Sequence, residues 1–280
     1  MNHIEIKAPA KINIGLNITS RRTDGYHNLE TIFYPINDLF DVIKISKSKT
    51  SSFRCNVKEI DVDMNNLIIA AKTKLEKYSG KKLHTDIYCE KNIPIGAGLG
   101  GGSSDAAATL ISLNEMFELG IKYDDMVKIA LDLGSDVPFF LKAKPAYASG
   151  RGEELELLDF SIELPIILIN PNIHISTKEA FSSITPLKSK HKLNNVIIDS
   201  KIDFEYLKKH IKNDFELSIF NKYPLLREIK DKLHHLGAKF TIMSGSGSTI
   251  YAIFSNINQA RMVYNSFPNT YFRFLSLPSS

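Results

Sequence analysis

The chain has 280 residues, 43% hydrophobic and 24% charged, an ordinary globular composition with room for one large or two modest cores. Its net charge of +4 arises from 35 Lys and Arg interspersed with 31 Asp and Glu, which argues against a nucleic-acid partner and leaves a modest pull toward small anions. No run approaches eighteen apolar residues and the opening MNHIEIKAPA has no apolar signal core, so a cytoplasmic protein without a membrane partner is expected.

In chain order, Ile12, Ile14, Leu16 and Ile18 alternate on one face of a strand, placing Lys11, Asn13, Gly15 and Asn17 on the other, polar face. Further strands are expected at residues 29–36, 41–46, 53–57 and 84–89, with a helix over 67–78. Cys55 and Cys89 fall in two of these strands without metal-ligand spacing and read as buried free thiols. A glycine-rich segment follows, then helices over 104–119 and 123–131. The turn signal SGRGEE precedes a boundary that divides the chain into domains 1–158 and 159–280. Beyond it the pattern predicts a strand (164–170), helices (204–211 and 224–236), two strands joined by a turn (239–243 and 249–254), a helix (258–266) and a last strand (271–277). That order fits a β-α-β-β-α-β sandwich, and the whole chain is α+β.

The glycine-rich segment PIGAGLGGGSSDAA (residues 94–107) holds five of the fifteen glycines. Glycine lets peptide N–H groups turn toward one point, and the helix that follows, with Ser103 or Ser104 as N-cap, adds its free N–H groups and positive dipole end. Phosphate is the expected guest. A flexible linker would not join so tightly bounded a strand and helix. Gly96, Gly98 and Gly101 match G-x-G-x-x-G by letter, yet helical sequence continues where a Rossmann unit needs its second strand. No HRD, DFG or GxxxxGK[ST] occurs anywhere in the chain.

Three ordered segments resemble the motifs of the GHMP kinases, the family of galactokinase, homoserine kinase and mevalonate kinase: APAKINIGL near the N-terminus, PIGAGLGGGSSDAA, and MSGSGSTIYAIF (residues 243–254). The resemblance implies a two-domain fold, with an N-terminal ribosomal-protein-S5-domain-2-like half and a C-terminal ferredoxin-like half, and an ATP-dependent kinase using Mg²⁺. Residues 9–31, 133–140 and 149–155 are similar to those members that phosphorylate the 2-hydroxyl of a methylerythritol carrying a cytidine diphosphate group, in non-mevalonate isoprenoid synthesis.

On this resemblance Lys11 and Asp136 are the catalytic pair. Phosphoryl transfer needs a cradle for the donor phosphates, a cation near the charge and a carboxylate to take the proton of the attacking hydroxyl. Asp136, in GSDVPFF, is the expected general base, kept ionised by Lys11; Ser135 stands where the family commonly has alanine. The local alternatives are an N-cap for Asp136 and a snorkelling strand lysine for Lys11. ATP falls to Gly96, Gly98, Leu99, Gly100, Gly101, Gly102, Ser103 and Ser104, with Asn66 and Lys91 at its adenine end; a helix cap and a solvated turn are the alternatives for those two. The cytidine derivative falls to Tyr26 as stacking platform, His27 as reader of the base edge, and Asn13 and Phe181. No carboxylate cluster announces the metal, and Ser104 is a candidate ligand. Arg151 reads as part of a hairpin outside the site, and Gly245 and Gly247 as a turn near the cleft. The rivals are a GHMP kinase for homoserine or mevalonate, a nucleotide-binding regulatory module without catalysis, and an RNA-binding protein, which would want a basic stripe with exposed aromatics.

Overall fold

A computed structural model of the chain describes residues 2–57, 66–182, 184, 186 and 191–278. In order these form β1 (His3–Arg21), β2 (His27–Lys47), β3 (Ser52–Cys55), α1 (Leu67–Ser79), β4 (Thr85–Glu90), α2 (Gly101–Met116), α3 (Tyr123–Leu131), α4 (Val137–Phe140), β5 (Ala146–Ser149), β6 (Glu154–Leu157), β7 (Ile166–Asn170) and α5 (Thr177–Ser182). Then come β8 (Ile197–Ile198), β9 (Lys201–Ile202), α6 (Phe204–His210), α7 (Glu216–Lys222), α8 (Pro224–His235), β10 (Phe240–Met243), β11 (Ile250–Ile253), α9 (Ile257–Asn265) and β12 (Phe272–Ser276). The chain resolves into two compact units whose segments interleave. One comprises Met1–Ala10, Leu39–Ile95 and Gly100–Ala143, the other Lys11–Asp38, Gly96–Leu99 and Lys144–Ser280.

In the first unit the C-terminal part of β2 pairs antiparallel with β4, Val42 opposite Glu90 and Lys47 opposite Thr85, and β4 pairs parallel with β3. Helix α1 begins where Asn66 accepts the N–H of Ile68 and stops at Gly80 in the left-handed region, so both of its ends are capped locally. Helix α2 is buried nearly all round, and its run of Asp105, Ala106, Ala107, Ala108 and Thr109 keeps side chains short enough for α1 and α4 to pack against it. The helix was expected to be capped by Ser103 or Ser104. It starts earlier, because Gly100 at φ +72° swings the chain into the helix at Gly101, and both serines therefore lie inside the first turn.

In the second unit the N-terminal part of β2 pairs with β5, and β5 with β6. Asn37 and Asp38 do not break β2 into the two strands expected, because Asp38 is held across the unit by the Ser276 hydroxyl at 2.8 Å and the Leu277 N–H at 3.2 Å. The C-terminal strands form an antiparallel sheet in the order β10-β11-β7-β12, which is the ferredoxin-like arrangement anticipated from the element order. Strands β7, β10 and β11 are buried on both faces. Ile167, Ile169, Ile250, Ala252 and Phe254 join Leu226, Ile229 and Leu233 of α8 and Val263 of α9 in one apolar cluster.

Phe254 is fully buried in that cluster, whereas Leu217 on α7 is 71% exposed. Phe254→Ala should lower stability in urea by about 3–5 kcal/mol through lost burial and a residual cavity, while Leu217→Ala should change it by less than about 0.5 kcal/mol. Equal effects of the two would show that this sheet does not carry the core of its unit.

Candidate active site

The face of β1 that reads as polar is not a solvent face. Lys11, Asn13 and Asn17 are each 3% exposed or less, as deeply buried as the isoleucines between them. Buried polar groups require partners, and these have them. The Lys11 ammonium donates to Asn13 Oδ1 at 2.6 Å, the Asn13 amide donates to Thr31 Oγ1 at 2.9 Å, and that hydroxyl donates to the Gly15 carbonyl at 2.6 Å. The Tyr251 hydroxyl adds a bond to the Asn13 carbonyl at 3.1 Å.

Residues 97–99 of the glycine segment are fastened within this same unit by three consecutive carbonyls. Ala97 accepts from Thr249 N–H at 3.2 Å, Gly98 from the Ser244 hydroxyl at 2.9 Å, and Leu99 from Lys11 N–H at 2.9 Å. A trans peptide points its N–H opposite its C=O. Tying down these carbonyls therefore turns the N–H groups of Gly98, Leu99 and Gly100 away from the partners that hold them, the arrangement of an anion cradle. Gly98 is indispensable here: its φ is +76°, and a Cβ would lie 2.2 Å from the Ser244 carbonyl oxygen.

The turn between β10 and β11 that supplies Ser244 and Thr249 is itself braced by two asparagines that the sequence reading missed. Asn213 Nδ2 donates to the carbonyls of Met243 and Gly245, both at 2.8 Å, and Asn170 Nδ2 to the hydroxyls of Ser248 and Thr249 at 3.2 and 3.0 Å. Gly245 and Gly247 thus belong to a turn that grips the glycine segment. The available signal was a lone Asn at the end of an apolar strand, Asn170, which β propensity disfavours.

A third cluster of the second unit is aromatic. Asp24 accepts the N–H of Tyr26 at 3.1 Å and shapes the turn from Arg22 to Tyr26, which leaves the Tyr26 ring 51% exposed. The Arg151 guanidinium lies 3.8 Å from the Tyr26 ring centroid, so the hairpin arginine left out of the site backs its platform. His27 stacks on Phe181 at 5.0 Å and 19°, and Phe181 meets Phe215 edge-on at 4.9 Å. Burial, together with the charge of Arg21, lowers the pKa of His27, so its ring is neutral at pH 7 and offers one donor and one acceptor.

The remaining candidates lie in the first unit. Asp136 occupies the position before α4 but makes no capping bond, so the cap reading does not account for a carboxylate there. Asn66 does cap α1. Gly100 to Ser104 enter α2, where the Ser104 hydroxyl is buried and without a hydrogen-bond partner among the described residues. Lys91 is not on a solvated turn: its side chain is 6% exposed and its ammonium is bonded to Asp41 and Asp105, the latter at 2.6 Å. Cys89 is buried and its thiol pKa is raised by burial and by the Asp105 charge, whereas Cys55 is partly exposed rather than buried as expected; both are free. Among the described residues no group of three or more His, Cys, Asp or Glu could hold a metal ion, and no helix is long and apolar enough to cross a membrane.

Residues 66–144 match the GHMP kinases N terminal domain and residues 198–273 the GHMP kinases C terminal. The glycine cradle falls within the first match and most of the ferredoxin-like half within the second, so the fold is that of a GHMP kinase. A 4-diphosphocytidyl-2-C-methyl-D-erythritol kinase of Chlorobium phaeobacteroides is 41% identical over 277 residues, covering 96% of each chain. A crystal structure of 4-(cytidine 5'-diphospho)-2C-methyl-D-erythritol kinase aligns with a TM-score of 0.82 and 29% identity over 99% of this chain and 100% of that one. The homoserine kinase of Cytophaga hutchinsonii shares the fold, with a TM-score of 0.73 at 15% identity over 99% of this chain and 95% of its own. The chain belongs to the family of 4-diphosphocytidyl-2-C-methyl-D-erythritol kinases.

Gly98→Ala forces an αL backbone on alanine and drives its methyl group into a carbonyl, and should cost about 1–3 kcal/mol of stability in denaturant melts. At Gly102, where φ is ordinary and a Cβ meets only Leu67 Cδ1 at 3.6 Å, alanine should be neutral or slightly stabilising. Indistinguishable melts for the two variants would refute the close approach of residue 98 to the 244–249 turn.

Proposed function

We propose that the chain transfers the γ-phosphoryl group of ATP to the 2-hydroxyl of 4-diphosphocytidyl-2-C-methyl-D-erythritol, a step of non-mevalonate isoprenoid precursor synthesis. The observation that carries the substrate is the aromatic cluster: a half-exposed Tyr26 backed by Arg151, beside a neutral His27 fixed by stacking on Phe181. Such a cluster suits a planar base, stacked on one ring and read along its edge by the other. Homoserine and mevalonate carry no base. Asn13, held between Lys11 and Thr31, completes the substrate residues.

In the reaction the 2-hydroxyl oxygen forms a bond to the γ-phosphorus, the bond from that phosphorus to the β,γ-bridging oxygen breaks, and ADP leaves. Asp136 accepts the hydroxyl proton as general base, and Lys11 offsets charge developing on the phosphoryl group. Gly96, Gly98, Leu99, Gly100, Gly101, Gly102 and Ser103 hold the phosphates, largely by peptide N–H groups. Asn66 and the backbone at Lys91 lie toward adenine. Mg²⁺ is a hard cation that binds oxygen donors and keeps several waters. The buried Ser104 hydroxyl, which lacks another partner among the described residues, fits such a ligand, and the ion would supply charge neutralisation at the β- and γ-phosphates. The division into domains 1–158 and 159–280 accompanies this reading.

The test is ATP consumption with the cytidine diphosphate substrate, its uridine analogue, homoserine and mevalonate. Turnover should require the cytidine compound, and Asp136→Asn should lower kcat by about 10²–10⁴-fold with little change in the KM for ATP. Preference for homoserine or mevalonate, or a fully active Asp136→Asn enzyme, would overturn the substrate or the base respectively.

A further inference from the structure

The deepest charges in the first unit lie at the two feet of the glycine segment. Asp41 on β2 is fully buried; its Oδ1 accepts the N–H groups of Asn92 and Ile93 at 2.6 and 2.8 Å, and its Oδ2 takes the Lys91 ammonium. Two carboxylate-to-amide bonds thereby fix the backbone just where the chain leaves β4 for the glycines. At the far foot, Asp105 in the first turns of α2 is 4% exposed and accepts the same ammonium at 2.6 Å. Lys91 therefore joins the strand that ends the approach to the segment with the helix that begins its exit, 14 residues later.

Three further observations show that the link is tight. A Cβ on Gly101 would lie 3.3 Å from Lys91 Nζ and 3.1 Å from the Ile93 side chain, so the first residue of α2 rests directly on the lysine and its neighbour. Burial works against the Lys91 charge, but Asp105 and Asp41 outweigh it and raise its pKa above the ordinary value, so the ammonium is permanent. The second oxygen of Asp105 is buried with no hydrogen-bond partner among the described residues, while its first takes the Lys91 ammonium and lies 4.0 Å from the Cys89 thiol; burial pushes the pKa of this carboxyl up to about 7, and the Lys91 charge opposes that rise. A cluster of two acids and one base is costly to bury and is weak evidence for stability in itself. Its placement, with one member on each side of the cradle and two amides of the entering strand as additional ligands, is what a tether requires.

We propose that Asp41, Lys91 and Asp105 form a positioning clamp that holds the two ends of the glycine segment at a fixed separation, and so presets its N–H groups for the triphosphate. The lysine then serves ATP through the loop rather than by contact of its ammonium with adenine. This rests on the kinase reading above and adds to it three residues whose side chains position the loop without themselves contacting substrate. The entropy of ordering the segment is met on folding instead of on binding, so weakening the clamp should appear as lost ATP affinity.

The test uses Asp105→Asn, which keeps an acceptor oxygen for Lys91 but cannot carry charge, and Lys91→Arg, which keeps the positive charge. Hydrogen exchange of the unliganded full-length protein reads the segment directly, and ATP binding is read by calorimetry with no acceptor present. In Asp105→Asn, amides of residues 92–102 should exchange faster while those of β7 and β11 do not, and the Kd for ATP should rise about tenfold, as for a lost charge-assisted hydrogen bond. Lys91→Arg should change both in the same direction but by less. Unchanged exchange in residues 92–102, a Kd within about twofold of the wild type, or exchange that quickens throughout the chain would overturn the clamp. A wild-type protein that binds no ATP would instead defeat the kinase reading on which the clamp depends, so the two failures are distinguishable.

Discussion

Three consecutive carbonyls, those of Ala97, Gly98 and Leu99, are consumed by hydrogen bonds to the chain itself, and the peptide geometry converts that anchorage into presented N–H groups. Most of the second unit can be understood as support for those bonds. Their donors are a hydroxyl and an amide from one turn and the backbone of β1, and each donor is located by groups further in. Asn170 and Asn213 brace the turn, while Asn13 ties the β1 backbone to Ser244 and Tyr251. A cradle made of backbone cannot be adjusted by side-chain rotamers, so its precision has to come from this second layer of buried amides and hydroxyls.

The same logic explains why a strand of ordinary alternation is buried on both faces. One face of β1 carries the isoleucines that fill the core; the other carries Lys11 and Asn13, withdrawn from water yet polar. Desolvating a lysine is unfavourable unless the site returns the interaction, and Asn13 Oδ1 at 2.6 Å returns part of it. A cation held in this way sits in a low-dielectric setting where its field is stronger than at a surface.

Much of this was legible in the sequence, for reasons that can be stated residue by residue. Period-two alternation placed Lys11 and Asn13 on one face, turn chemistry placed Tyr26 and His27 after Asp24-Gly25, and the element order of the second half specified the β10-β11-β7-β12 sheet. What alternation could not convey was that the polar face is buried, because a half-exposed strand and a strand with a buried polar face share one pattern. Ser103 and Ser104 looked like caps because serine favours that position, but Gly100 in the left-handed region starts the helix first. Asp38 looked like a break because its partner, Ser276, is 238 residues away and no local rule reaches it. From its place at the flank of the glycine motif Lys91 reads as a residue for adenine, or else as part of a solvated turn, and Asp105 falls in the helical sequence that follows the motif. Neither assignment could register Asp41, fifty residues upstream, whose carboxylate makes a buried charge of the first and a tether of the second.

Charge burial in this protein follows where rigidity is wanted. Surface pairs such as Arg54 with Asp86 and Lys128 with Asp125 are solvent-screened and add little. The interior ions cluster at the feet of one loop and on one face of one strand, although apolar side chains of similar volume would pack there at lower cost. An apolar core tolerates many arrangements of similar energy, whereas an ammonium shared by two carboxylates has few satisfactory positions, since every displacement leaves a charge unpaired. Ala97 and Leu99 are buried, but the glycines of the loop contribute no side chain to define it. Those glycines leave directional contacts at the ends of the loop to limit its arrangements, and the ions are found there.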